Sequence, residues 1–241
     1  MTGLGTIVNM AAIFLGCSAG LLIRGGLPER FQKIITSAIG LATIFIGISG
    51  AMTGMLSVTD TKLVTTNTMV MIFSLIIGAV IGEAIDIEKR LETFGEWCRR
   101  KMTAGKGKDG SFTEAFVTST LLYCVGAMAI VGSLNDGLLH DCSVLFAKSV
   151  LDGIMAVVFG ASLGAGVYLS IFSVAVYQGG ITVLSGLIRP YLSDTLIGRQ
   201  SFVGSILIFA IGINFLFGKK IKLGNLMPAM FVPILLDFFI P

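Results

Sequence analysis

The chain begins with the apolar segment MTGLGTIVNMAAIFLGCSAGLLIR, residues 1 to 24, which indicates the class of fold. It carries no charged side chain before Arg24. About 20 apolar residues are enough to cross the hydrocarbon core of a bilayer as a helix. The stretch also lacks the basic start that is typical of a signal peptide. We therefore expect it to be retained as the first membrane-spanning helix.

The rest of the chain has the same apolar character. Of its 241 residues, 54% are hydrophobic and 13% are charged, whereas about 25% of the residues are charged in a typical soluble domain. This composition predicts an all-α, polytopic membrane protein with about eight transmembrane helices. The apolar runs place these spans at about residues 3–23, 34–56, 64–85, 113–133, 144–163, 167–188, 201–217 and 223–240.

The basic residues predict the orientation of these spans. Most of the Lys and Arg residues lie in three segments, after the first span, over residues 89–108, and after the seventh span. With eight spans, all three segments fall on the same side of the membrane. Cytoplasmic loops carry the excess of Lys and Arg, so we expect both termini to lie outside.

An internal similarity predicts how the single membrane domain is organised. GLLIRGGLPER (20–30) aligns with SGLIRPYLSDT (185–195), and the same offset places IGI at 46–48 on IGI at 211–213. Five spans separate the copies, so they would be inverted relative to each other, a plan that recurs in transporters. Chance similarity between apolar stretches is the alternative. The predicted order is repeat one over 1–85, a cytoplasmic amphipathic helix and linker over 86–112, an inserted helix pair over 113–163, and repeat two over 164–241.

Asp152 is the strongest candidate for a functional residue. If the fifth span begins near Ser143, Asp152 lies about 13 Å along the helix axis. A carboxylate facing lipid at that depth costs at least about 2.5 kcal/mol. Lys148, four residues earlier, shares its helix face, and its flexible stem can reach the outer interface. We predict that both line a polar strip facing a cavity open to the outside. A neutralised pair that only fixes helix packing is the alternative.

Two further segments contribute candidate ligands for a small ion or polar solute. Asn135 and Asp136 lie in SLNDGL, where Asn, Asp and Gly favour a turn. In VYQGGIT (176–182), two glycines follow Gln178 and weaken the helix by about 2 kcal/mol relative to alanine. We predict a break in the sixth span beside Gln178, which would leave backbone groups open to bind a solute.

Asn9 and Asn214 are predicted buried amides in the first and seventh spans. Hydrogen bonding between helices is the default role for each, and contact with the solute is the alternative. Pairs of glycines four residues apart, such as Gly16 with Gly20, predict close helix packing or the seam of a dimer.

The sequence gives no indication of a catalytic residue, a metal or a cofactor. The four cysteines are scattered, without the spacing of a zinc or redox site, and no nucleotide-binding glycine loop is found. An intramembrane aspartyl hydrolase would pair Asp136 with Asp152, but its GxGD context is absent. A nucleic-acid partner is not expected from so few cations; the expected partners are the bilayer, the solute and a second copy of the chain.

Four motifs in this order carry a resemblance to a known family: GTIVN (5–9), GSLNDGL (132–138), KSVLDGI (148–154) and YQGGIT (177–182). The chain resembles the YdfK and YqgA type of bacterial inner-membrane protein, a family of unknown function (DUF554), over nearly its whole length. The resemblance implies a polytopic protein of the bacterial inner membrane, and it supplies no activity or substrate.

These observations together favour membrane transport over the other function classes. Asp141 lies seven residues before Lys148 on nearly the same stripe, and we expect it mainly to cap the start of that helix. With Asp141 included, acids outnumber bases along the predicted polar strip, which favours a cationic or zwitterionic solute. A scaffold or accessory subunit that transports nothing is the main alternative, and an intramembrane hydrolase is a weaker one.

Overall fold

The structure is a computed structural model that describes residues 2–24, 28–59, 62–102, 111–124, 127–188, 190 and 193–239. Nearly all of these residues are helical, and one β-hairpin lies between the second and third helices. The helices are α1 (Leu4–Arg24), α2 (Glu29–Met55), α3 (Thr68–Ile85), α4 (Ile87–Met102), α5 (Ser111–Cys124), α6 (Ala127–Leu139), α7 (Ser143–Ser162), α8 (Val167–Val183), α9 (Ser185–Ile188), α10 (Asp194–Phe217), α11 (Leu223–Leu226) and α12 (Val232–Phe239). A 3₁₀ turn (Met227–Met230) separates the last two.

The prediction of a polytopic helical membrane protein is confirmed. Among the described residues, five helices are long and apolar enough to cross a membrane: Leu4–Arg24, Lys33–Met55, Thr68–Ile85, Ser143–Ser162 and Asp194–Phe217. A sixth span is formed if α5 and α6 are taken together. Two further apolar helices, Val167–Val183 and Leu223–Leu236, are shorter. The count of eight spans therefore stays a prediction.

The broken span lies in a different place from the one predicted. The fourth span, predicted at about 113–133, corresponds to α5 and α6, whose axes are inclined at 60° to each other. The sixth span, expected to break beside Gln178, is continuous from Val167 to Val183. A free backbone group in lipid costs several kcal/mol, more than the roughly 2 kcal/mol of two glycines, so the helix keeps its hydrogen bonds. The last of them joins Leu184 N to Gly180 O at 2.9 Å.

The chain forms two compact units. The first contains residues 1–36, 89–124 and 128–191, and the second contains 37–88, 125–127 and 192–241. The predicted amphipathic helix after residue 86 is present as α4, where the rings of Phe94 and Trp97 stack at 6.0 Å. Most of the linker that was predicted to follow it lies outside the described residues.

In the first unit, α1 packs along α7 through glycines. A Cβ atom at Gly16 would overlap the carbonyl oxygen of Gly153, and one at Gly20 would overlap that of Val157. The contacting residues advance together along both helices, so α1 and α7 run parallel. The prediction that Gly16 and Gly20 mark a close helix approach is confirmed.

In the second unit, α2 and α10 pack antiparallel through a reciprocal contact. A Cβ atom at Gly47 would lie 2.8 Å from the Cβ of Phe209, and one at Gly212 would lie 2.6 Å from Cγ1 of Ile44. The offset found in the sequence maps Gly47 onto Gly212 and Ile44 onto Phe209. Two copies related by a two-fold axis make reciprocal contacts of this kind. The inverted repeat as a whole stays a prediction.

The hairpin of the second unit was not predicted. Strand β1 (Leu56–Thr59) pairs antiparallel with β2 (Lys62–Thr65), with Leu56 opposite Thr65. Asn67 Nδ2 donates to Gly54 O at 2.9 Å and ties the base of the hairpin to α2. The β-branched residues of SVTDTKLVTT are the signal that indicates strands here.

Candidate functional site

The centre of the candidate site is a buried ion pair within α7. Lys148 Nζ donates to both carboxylate oxygens of Asp152, at 2.9 and 2.7 Å. Lys148 is 5% exposed and Asp152 is 6% exposed. Asp152 lies at the middle of α7, which spans Ser143 to Ser162. The predictions that this helix begins near Ser143 and that the two charges share one face are confirmed by these contacts.

Two amides from other helices complete the site. Asn9 of α1 donates through Nδ2 to Asp152 Oδ2 at 2.9 Å and to Gln178 Oε1 of α8 at 3.2 Å. Both amide side chains are fully buried. We call Asn9, Lys148, Asp152 and Gln178 the polar quartet. Three helices of the first unit therefore bring together four of the seven candidate residues predicted from the sequence.

The polar quartet keeps hydrogen-bonding capacity that the protein does not use. Asn9 Oδ1 and Gln178 Nε2 are buried and have no hydrogen-bond partner among the described residues. One is an acceptor and the other is a donor. A buried polar group without a partner costs about 1 to 3 kcal/mol, so two such atoms beside one ion pair indicate that a polar ligand or water meets them.

Helices of the same unit bury further hydroxyl groups that have no partner among the described residues. Thr6 lies three residues before Asn9 on α1, and Thr182 lies four residues after Gln178 on α8. The hydroxyls of both are buried without a partner in the described part of the chain, as are those of Ser133 in α6 and Tyr123 in α5. Sequence analysis missed these residues. Their helical spacing from Asn9 and Gln178 is the signal that identifies Thr6 and Thr182.

The polar quartet is closed on both sides along α7. Leu145, Lys148, Asp152 and Phe159 follow one another at helical spacing on a single buried stripe. Leu145 lies against Gly5 of α1, towards the start of α7. On the other side, Phe159 faces the ring of Tyr123 at 6.4 Å between centroids.

The predicted polar strip is not continuous in the described part of the chain. The ammonium group of Lys148 turns onto Asp152 instead of reaching outward, because an ion pair in an apolar surrounding is stronger than in water. Leu145 is fully buried and interrupts the strip. The site is therefore buried, with only 5% of Lys148 and 6% of Asp152 exposed.

The glycine pair beside Gln178 does not serve close packing. A Cβ atom at Gly179 would meet only the methyl group of Thr6, at 3.9 Å, and one at Gly180 would meet nothing within 4 Å. Gly180 lies on the stripe of Phe172, Val176 and Val183, whose side chains are exposed. That stripe is the one an apolar helix presents to lipid.

Asn135 and Asp136 lie within α6, so the predicted turn at this place is wrong. The carboxylate of Asp136 accepts from Gly3 N at 3.0 Å and from Gly5 N at 3.1 Å. It therefore caps the start of α1, where the helix dipole favours an anion, and this contact overrides the local preference for a turn. Only the backbone of Asn135 makes a described hydrogen bond, accepting from Asp141 N at 3.2 Å. We assign neither residue to the polar quartet.

Asn214 is also not a member of the polar quartet. It belongs to the second unit, where Oδ1 accepts from Lys220 N and Ile221 N, both at 3.0 Å, and Nδ2 donates to Ile221 O at 2.8 Å. Both the oxygen and the nitrogen of its side-chain amide are therefore hydrogen-bonded to the loop after α10. Asn214 was predicted to be a candidate from its residue type alone. Residue type does not distinguish an amide that bonds a loop backbone from one that binds a solute.

The charged residue that precedes α7 has a local role. Asp141 is exposed, and its carboxylate accepts from Ser143 N at 2.9 Å. This bond to the backbone N–H lowers the pKa of the Asp141 carboxyl below its ordinary value. The contact agrees with the expectation that Asp141 stabilises the start of the helix, and it leaves the buried charges of α7 to Lys148 and Asp152.

Comparison with known proteins identifies the family. The profile of a family described as "Protein of unknown function (DUF554)" matches residues 4–238. The chain is 29% identical over 236 residues to the "Uncharacterized membrane protein YdfK" of Bacillus subtilis (strain 168), covering 98% of this chain and 96% of the relative. It is 30% identical over 229 residues to the "Uncharacterized protein YqgA" of Escherichia coli (strain K12), covering 94% and 93%. No solved structure matches significantly. The chain is thus a membrane protein that belongs to the DUF554 family.

Proposed function

We propose that this protein carries a small ion or polar solute across the membrane and that the polar quartet is its binding site. The observation that supports this most directly is the pair of unused atoms, Asn9 Oδ1 and Gln178 Nε2, beside a buried ion pair. A buried ion pair on its own adds little stability, because desolvating both ions offsets their attraction. The arrangement is better explained as a site that a solute enters.

The closure of the site supports a carrier. Leu145 and Phe159 flank the ion pair on opposite sides along one stripe of α7, and both are fully buried. In alternating access, each side of a central site opens in turn. We propose that the structure corresponds to the closed state between the two openings. Movement of Leu145 would open the site towards the start of α7, and movement of Phe159 would open it towards the end.

The setting of this carrier follows from the sequence. We propose a multi-pass protein of the bacterial inner membrane with both termini outside, acting as a homodimer without enzymatic activity and without a nucleic-acid partner. The solute is cationic or zwitterionic in this proposal, because the deepest charge is a carboxylate.

Flux into proteoliposomes tests the proposal. The variant Asp152→Asn should abolish the flux of the transported solute while keeping a monodisperse gel-filtration profile. Asp141→Asn is the matched control, because it makes the same chemical change at an exposed carboxylate before the same helix. Equal flux through the Asp152→Asn variant and the native protein would remove Asp152 from the mechanism. Absence of flux for every solute, together with a partner that copurifies in fixed stoichiometry, would favour the scaffold alternative.

A further inference from the structure

The polar quartet carries no net charge, and this restricts the solute. Lys148 Nζ donates to both carboxylate oxygens of Asp152, and Asn9 Nδ2 also donates to Oδ2. The helices around the pair add little charge. Helix α8 has no Asp, Glu, Lys, Arg or His over residues 167–183, and the only such residue of α1 is Arg24 at its far end. Asp136 of α6 is committed to the start of α1.

A solute with a single charge fits such a site poorly. A free cation that binds Asp152 either displaces Lys148 Nζ, which leaves a buried ammonium group without a counter-ion, or binds beside it and leaves the site with an uncompensated positive charge. A free anion that takes Lys148 away from Asp152 leaves the buried Asp152 carboxylate without a counter-ion. Breaking a buried ion pair from one side is strongly unfavourable, so both kinds of solute are disfavoured.

A zwitterion avoids this difficulty because it brings both charges. Its ammonium group takes the place of Lys148 on Asp152, and its carboxylate group takes the place of Asp152 on Lys148. Every buried charge then keeps a counter-ion. The two unused amide atoms match the same solute, since Asn9 Oδ1 accepts from an ammonium group and Gln178 Nε2 donates to a carboxylate.

The neighbouring side chains limit the solute to a small one. Leu145 and Phe159 close the stripe of α7 on either side of the ion pair, and Val174 of α8 lies one turn from Gln178; all three are fully buried. Resting on the proposed function, we infer that the polar quartet binds a small zwitterion, with a protonated amine and a carboxylate a few bonds apart, in preference to a free cation or a free anion.

The inference is tested by the thermal unfolding of the purified full-length protein in lipid nanodiscs. The zwitterions are glycine and β-alanine. The comparison solutes are potassium chloride and an equimolar mixture of methylammonium and acetate, which supplies the same two charges on separate molecules. At least one zwitterion should raise Tm, since a ligand stabilises the state that it binds, and the comparison solutes at equal concentration should not. An equal rise with potassium or methylammonium, or no rise with any zwitterion, overturns the inference.

A second measurement uses variants that keep the site neutral. The double variant Lys148→Met with Asp152→Asn should lose the response of Tm to the zwitterion. Ser149→Ala, which removes a neighbouring hydroxyl bonded within the helix to Leu145 O, should keep it. A response that persists in the double variant contradicts the inference.

The flux assay separates this inference from the proposed function. Flux of potassium or methylammonium that depends on Asp152, without flux of a zwitterion, would support transport and overturn the inference that the site prefers a zwitterion. Binding of a zwitterion without flux of any solute would support the site and contradict transport.

Discussion

The two halves of α1 are built differently, although both pack in the same unit. The second half, from Ala12 onwards, lies against α7 through glycines whose backbones touch, and it offers no room even for a methyl group. The buried face of the first half, which we call the polar half, carries the polar side chains of Thr6 and Asn9. It is held by the carboxylate of Asp136 at its start, and it places Thr6 and Asn9 among buried polar atoms.

This difference separates a tightly packed region from the region of the proposed site within a single helix. Close contact of backbones at Gly16 and Gly20 is a recurrent way to hold helices together in lipid, where no hydrophobic force drives their association. Buried polar groups without a hydrogen-bond partner do not hold helices together, because they reduce the stability of the fold. A sequence retains such groups where they serve a ligand. The predictions below test whether the two halves respond differently to substitution.

The largest effect is expected at Lys148, beside the polar half. Lys148→Met leaves the Asp152 carboxylate buried without its counter-ion, which costs about 3 to 5 kcal/mol. The free energy of unfolding in detergent should fall by that amount. Adding Asp152→Asn removes the stranded charge and should recover most of the loss. A single variant as stable as the native protein would show that water already reaches the carboxylate.

The next effect is expected in the glycine half. Gly20→Ala places a methyl group on the carbonyl oxygen of Val157, which is backbone and cannot turn aside. Overpacking of this kind costs about 1 to 3 kcal/mol, so Tm should fall. Gly198→Ala is the matched control, because a Cβ atom there meets nothing within 4 Å. Equal Tm values for the two variants would mean that α1 and α7 separate easily.

The sequence predicted the members of the site better than their arrangement. Depth along an apolar helix was enough to single out Asp152, and its spacing from Lys148 predicted their shared face. Asn9 contacts Asp152, which is 143 positions away in the chain, and Gln178, which is 169 positions away. Such a contact depends on how helices pack, which residue type and helical spacing do not determine. For the same reason Asn214 was grouped with residues that it does not join.

The errors in local structure have a common physical cause. Glycines beside Gln178 and the Asn, Asp and Gly residues of α6 favour irregular backbone in water. Both segments are helical in the structure. In a bilayer, no water replaces a lost backbone hydrogen bond, so both segments stay helical. The carboxylate of Asp136 accepts from backbone N–H groups at the start of α1 instead of bonding its own backbone in a turn. Propensities measured in water therefore overestimate the number of breaks in this chain.

A smaller effect is expected at the start of the polar half. Asp136→Asn removes the negative charge that accepts from Gly3 N and Gly5 N, and an amide oxygen is a weaker acceptor. We expect a loss of about 1 to 2 kcal/mol. Hydrogen exchange should become faster over residues 2–9 and stay unchanged around Gly20. Exchange that rises equally along all of α1 would contradict the distinction between its two halves.

The smallest effect is expected at Gly180, on the face of α8 that points away from the polar quartet. Gly180→Ala adds a methyl group where a Cβ atom meets nothing within 4 Å, and alanine is favoured over glycine in a helix by up to about 1 kcal/mol. Tm should rise slightly, and flux of the transported solute should not change. Gly180 has neither the contact role of Gly20 nor a place beside Asn9. A loss of flux at unchanged Tm would contradict this and would mean that α8 has to bend at Gly180 during transport.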